Sequence, residues 1–117
     1  MLLKASLLPT DVAPWLAALT AHAAAAGLAT RWRAHVGHGI VYARLAGPAP
    51  ALVDAVAPLR AAAVERHGSL VVQDAPAHLA ARVDMWGPSP AVAVMRRLKA
   101  SFDPRGTLNP GRFVGGI

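Results

Sequence analysis

An α+β sandwich, one antiparallel sheet with helices on one face, is predicted for this chain by three observations. The 117 residues are 55% hydrophobic and only 15% charged, enough for a single domain with a core of small side chains. Short segments with alternating polarity flank segments with three- and four-residue apolar spacing, in the order strand, helix, strand, strand, helix, strand. Glycine and proline fall between these segments, where turns are needed.

The elements follow in order. Leu2 to Leu8 is a short apolar strand ending at Pro9-Thr10-Asp11, where Thr10 or Asp11 can cap a helix. Trp15, Leu16, Leu19 and Ala23 recur at helical steps, so the helix is expected from Asp11 to Ala26, with Gly27 at its left-handed end. Trp15 and Trp32 are both assigned to the core or a sheet face, with an interaction surface as the alternative for Trp32, which lies between Arg31 and Arg33. Ala29 to Val36 alternates as a strand does, and Gly39 to Leu45 is its partner. Gly37-His38-Gly39 between them, with two glycines able to take positive φ, predicts a tight hairpin.

After the break at Gly47-Pro48-Ala49-Pro50, residues Ala51 to Arg66 are expected to be helical through Leu52, Val56, Leu59 and Val64. Pro58 kinks or restarts that helix and Gly68 closes it. Ser69 to Gln73 has the length and branching of a buried strand, and Ala75 to Arg82 a short helical turn. These elements in this order describe a ferredoxin-like sandwich. A carboxy-terminal helix follows. Ser89-Pro90 starts it, Val92, Met95, Leu98 and Phe102 mark its apolar stripe, and Asp103-Pro104 stops it. The tail Arg105-Gly106-Thr107-Leu108-Asn109-Pro110-Gly111-Arg112 is stiffened by glycine and proline into a defined loop.

Composition removes several chemistries. Without cysteine there is no disulfide, thiolate metal site, iron–sulfur ligation or cysteine nucleophile. No phosphate-binding glycine loop, nucleophile elbow or His-Glu zinc signature occurs. Twelve basic and six acidic residues give a net charge of +6. Ten of the twelve are arginines with no run longer than Arg96-Arg97, so there is no polybasic tail, and composition leaves nucleic acid, an anionic substrate and an acidic partner open. The amino-terminal residues carry no basic stretch ahead of an apolar one, and no apolar stretch is long enough to cross a bilayer, so a cytoplasmic location is expected.

Two constellations carry candidate chemistry. His35-Val36-Gly37-His38-Gly39 sets two imidazoles beside yielding backbone, but lacks the third and fourth donors a metal requires, and no metal is expected there. The loop from Ser101 to Arg112 gathers an amide, two arginines and exposed backbone, which suits either a polar or anionic planar ligand or a terminal tail simply held down by its prolines. Asp84 and Trp86, before the Gly87-Pro88 break, are further candidates for lining a site or packing a corner.

The run from Leu98 to Phe113, with its helix, Asp-Pro turn and Asn-Pro-Gly, is similar to the end of FAD-linked oxidases of the vanillyl-alcohol oxidase type. His35-Val36-Gly37-His38-Gly39-Ile40-Val41-Tyr42 resembles a glycine-rich histidine stretch of the same superfamily. With Val83-Asp84-Met85-Trp86-Gly87-Pro88, the pattern most resembles the FAD-binding E subunit of glycolate oxidase. The resemblance implies that the chain is the carboxy-terminal cap domain of a longer flavoprotein whose FAD-binding domain is not in it. It places Asn109, Pro110, Gly111 and Arg112 beside the flavin, with His35, His38 and Tyr42 on the substrate side. Tyr42 stands where metal-using relatives carry a second histidine, and His38 and Ile40 replace an aspartate and an asparagine, which argues against a metal. Implied partners are an amino-terminal FAD-binding domain, other oxidase subunits and a small carboxylate substrate; FAD is expected in the parent, not on this chain alone. Without its parent domain, the fragment is open to homodimerisation. The competing expectation is a basic ferredoxin-like module that binds RNA through Trp32 and Tyr42, or only self-associates.

Overall fold

The computed structural model describes residues 1–117 as two compact units, residues 1–85 and 86–117. The first contains β1 (Leu2–Ser6), α1 (Val12–Ala25), β2 (Ala29–His35), β3 (Ile40–Ala46), α2 (Ala49–Asp54), α3 (Val56–Val64), β4 (Ser69–Asp74) and the single turn α4 (Ala77–Ala80). Its strands form one antiparallel sheet in the order β2-β3-β1-β4, the ferredoxin-like arrangement expected from the order of the elements.

One face of the sheet is the core. Leu3 and Ala5 of β1, Val41, Ala43 and Leu45 of β3, and Leu70 and Val72 of β4 are buried at every second position. Over them lie α1 and α3, which also pack on each other. α1 buries Val12, Trp15, Leu19 and Ala23, and the fully enclosed Trp15 donates its indole N–H to the Leu59 carbonyl of α3 at 3.2 Å. That bond satisfies the one polar atom of a large side chain while joining the two helices.

Several expectations change in detail. The residues Pro9–Asp11 form a 3-10 turn, and neither Thr10 nor Asp11 caps α1 with its side chain. The helical stretch from Ala49 to Val64 is two helices, with Pro58 in the first turn of the second, where its missing N–H breaks no helical bond. The phase of α3 is set by Val56, Leu59 and Ala63, which leaves Val64 half-exposed rather than in the core. Its left-handed end is His67, at φ 54°; the Gly68 N–H bonds Ala63 O and the His67 N–H bonds Val64 O, the paired closure of a Schellman motif. Gly68 is needed for a different reason, since a Cβ there would lie 2.5 Å from Ser6 O.

The β2–β3 connection is a 3-10 turn over Val36–His38, so only Gly39, at φ 66°, uses the left-handed region; Gly37 does not. Gly39 accepts the Leu7 N–H at 2.8 Å, and a methyl at its Cα would be built into the Leu7 carbonyl. The turn is therefore fastened to the exit of β1.

The second unit holds α5 (Val92–Phe102) and a tail ending in a 3-10 turn at Val114–Gly116. α5 begins later than Ser89-Pro90 suggests, because Ser89 Oγ accepts the Ala91 N–H in a turn ahead of it. It ends at Phe102, before Asp103-Pro104. Its expected apolar stripe is not buried: Val92 and Met95 are half-covered, while Leu98 and Phe102 are 53% and 81% exposed. No helix is long and apolar enough to cross a membrane.

Candidate functional site

In the second unit the organising group is Asp103. It is 8% exposed and follows the last residue of α5. Its carboxylate accepts Lys99 Nζ at 2.6 Å, the Leu108 N–H at 2.9 Å, and the Thr107 N–H and Oγ1 at 3.0 and 3.1 Å. The Lys99 contact first, then the two backbone amides, hold this carboxyl well below the usual carboxylate range. Lys99 also donates to Leu108 O at 2.5 Å, so one ammonium and one carboxylate grip both polar groups of the Leu108 backbone.

That grip presents the next turn. Arg112 N–H returns to Asn109 O at 3.3 Å around Pro110 and Gly111, with Gly111 at φ 71°, as in a type II turn with proline and glycine at its centre. Asn109 is itself left-handed at φ 44°, a conformation its short amide side chain tolerates better than most. Beside this turn lies an open depression of about 470 Å3 lined by Lys99, Leu108, Asn109, Arg112, Phe113 and Ile117. Its walls are apolar at Leu108, Phe113 and Ile117; its free polar ends are the Asn109 amide and the Arg112 guanidinium. Trp86 supports the rim, donating to Arg112 O at 3.3 Å and meeting Phe113 edge to face at 5.0 Å.

In the first unit His35 and Tyr42 come together on the sheet face opposite the core, their rings edge to face at 6.3 Å. His38 is instead in the turn, exposed. Trp32 lies opposite Ala43 and so belongs to the helix side at the sheet edge, leaving Tyr42 as the aromatic residue of the open face among the two expected to stack on bases. Asp84 is tied to Arg60, whose guanidinium reaches its carboxylate at 3.9 Å and donates to its carbonyl. No group of three or more histidine, aspartate or glutamate side chains converges as a metal would need.

The roles of Lys99 and Asp103 as supports of the Asn-Pro-Gly turn are not apparent from composition or periodicity. The available signal is the four-residue spacing on each side of Asp103, to Lys99 on the helix and Thr107 in the loop.

No curated protein and no solved structure matches the chain. Residues 83–113 match the family model for FAD linked oxidases, C-terminal domain, so the segment that carries α5, the Asp103 cradle and the Asn-Pro-Gly turn is similar to part of that domain.

Proposed function

We propose that the chain is the carboxy-terminal cap domain of an FAD-dependent oxidoreductase acting on a small 2-hydroxy acid, most like the E subunit of glycolate oxidase and working in the cytoplasm. The observation that carries this reading is the coincidence of the family match with the one elaborately braced loop of the second unit. A loop of this composition is held by four bonds to Asp103 and Lys99, which also pair with each other, yet its own outward groups, Asn109 and Arg112, are left to meet something else.

The depression fits a flavin edge in chemistry. Its apolar walls suit the ring, and the Asn109 amide and Arg112 guanidinium suit its polar rim. Arg112 is the cation available to a negative charge there, since Lys99 is committed to Asp103 and Leu108. When bound, FAD supplies the hydride acceptor. The residues of this chain position and shield: Asn109, Pro110, Gly111 and Arg112 border the cofactor, with the Pro110-Gly111 turn fixing the direction of the last two. On the first unit we assign His35, His38 and Tyr42 to the substrate side, where Tyr42 can donate a hydrogen bond to a carboxylate and the surrounding cations favour its charge. The depression is open, one wall only, so the remaining FAD contacts fall to an amino-terminal domain of the parent and this chain alone does not retain the cofactor.

The test is the visible spectrum of the native species, purified from its source, on anaerobic addition of glycolate and other small 2-hydroxy acids. Bleaching of flavin bands is expected. Flavin that no 2-hydroxy acid bleaches overturns the substrate assignment.

A further inference from the structure

The open face of the first unit's sheet carries four cations in two rows. Arg31 lies directly opposite Arg44, and two residues along, Arg33 lies opposite Tyr42, which lies opposite Lys4. Residues opposite one another share a face, and a two-residue step along a strand is about 7 Å. One row is thus a pair of neighbouring guanidiniums; the other is a guanidinium and an ammonium with a phenol between them. None of the four cations is in a hydrogen bond or ion pair within the chain. The nearest acid in register, Asp74, is two strands from Arg44 with Leu2 between. Arg31, Trp32, Arg33, Tyr42, Arg44 and Leu2 line an open depression of about 620 Å3, within the range of small-molecule sites.

Four like charges brought within two strand steps repel one another in the folded state, and nothing in the chain offsets them. From this juxtaposition we propose that the face binds a small ligand with two anionic groups, a dicarboxylate of four or five carbons in all, one group on the Arg31–Arg44 pair and the other on Arg33 and Lys4 with the Tyr42 hydroxyl. A monocarboxylate such as glycolate fills one row and leaves the other unneutralised. Once the first group is held, the second meets its row at a high effective concentration, so the two rows together discriminate by charge number and spacing. This ligand's role as substrate rests on the flavin oxidoreductase reading; its capture by the sheet does not.

The experiment is a titration of the 117-residue chain, followed by backbone amide NMR at fixed ionic strength, with acetate, succinate, glutarate and a short single-stranded RNA. Glutarate or succinate is expected to saturate shifts in β2 and β3 at a concentration at least tenfold below acetate. Arg31→Gln and Arg33→Gln, both exposed, are expected to reduce the dicarboxylate to acetate-like binding while leaving the spectrum's dispersion intact. Equal saturation by acetate and the dicarboxylates overturns the proposal, as does dicarboxylate binding unaffected by either variant. RNA that saturates the same shifts while the dicarboxylates do not also overturns it, in favour of a nucleic-acid surface. Flavin content of the native species is read separately, so a colourless protein that still selects glutarate refutes the oxidoreductase reading and not this one.

Discussion

Replacing Gly39 by alanine should be among the most damaging single-methyl additions in the first unit. Two costs add. At φ 66° an L side chain loses about 1–2 kcal/mol relative to glycine. The new methyl is also directed into the Leu7 carbonyl, so the turn must move off β1, which endangers the 2.8 Å bond from the Leu7 N–H to Gly39 O, worth about 1 kcal/mol. The expected loss is about 2–3 kcal/mol. Gly27 provides the control: it has nearly the same φ, 65°, at the end of α1, but a Cβ there meets nothing within 4 Å. Gly27→Ala should therefore lose only about 1–2 kcal/mol. Urea unfolding followed by far-ultraviolet circular dichroism measures both, and equal slopes would show that the native ensemble is otherwise unchanged. If Gly39→Ala proves no more destabilising than Gly27→Ala, the close fastening of the hairpin to β1 is wrong.

Other perturbations probe the core and the loop. Trp15→Phe removes the indole bond to Leu59 O and leaves unfilled space between α1 and α3, with an expected loss of about 1–3 kcal/mol in the same unfolding assay. Asp103→Asn should abolish the Lys99 pairing and raise the hydrogen-exchange rates of the Thr107 and Leu108 amides, with the β-sheet amides unchanged. The Asp103 carboxyl is held below its ordinary value of about 4, so its contribution is present above that pH and is lost only as pH falls through the lower folded value. The Thr107 and Leu108 amide shifts should accordingly show no titration step near pH 4; a step there would contradict the cradle. Arg112→Ala in the native species should weaken flavin retention while sparing the fold of the first unit, measured by flavin released on gel filtration.

The sheet and its helices were legible because their signals are local. Trp15, Leu19 and Ala23 on one helical stripe and the alternation of Val41, Ala43 and Leu45 follow from period alone. Val64 misled because hydrophobicity was weighed without the phase that Val56 and Leu59 impose, which brings the smaller Ala63 inward. His67 and Gly68 exchanged roles because sequence cannot tell a glycine required by its own φ from one required by a neighbour's carbonyl. The stripe of α5 is present in the sequence, but whether a stripe is covered depends on what stands against it, and Leu98 and Phe102 are exposed. In the same way, the cation rows arise from the β2–β3 and β1–β3 registers, which bring Lys4, Arg31, Arg33 and Arg44 together across three strands.

The central claim is that this chain serves as one wall of a flavin site in a larger protein. Its most direct test is the intact mass and visible absorption of the species recovered from the native source with an antibody against this chain. A mass several-fold above 12.1 kDa with flavin bands is predicted; a colourless species of 12.1 kDa would contradict the account.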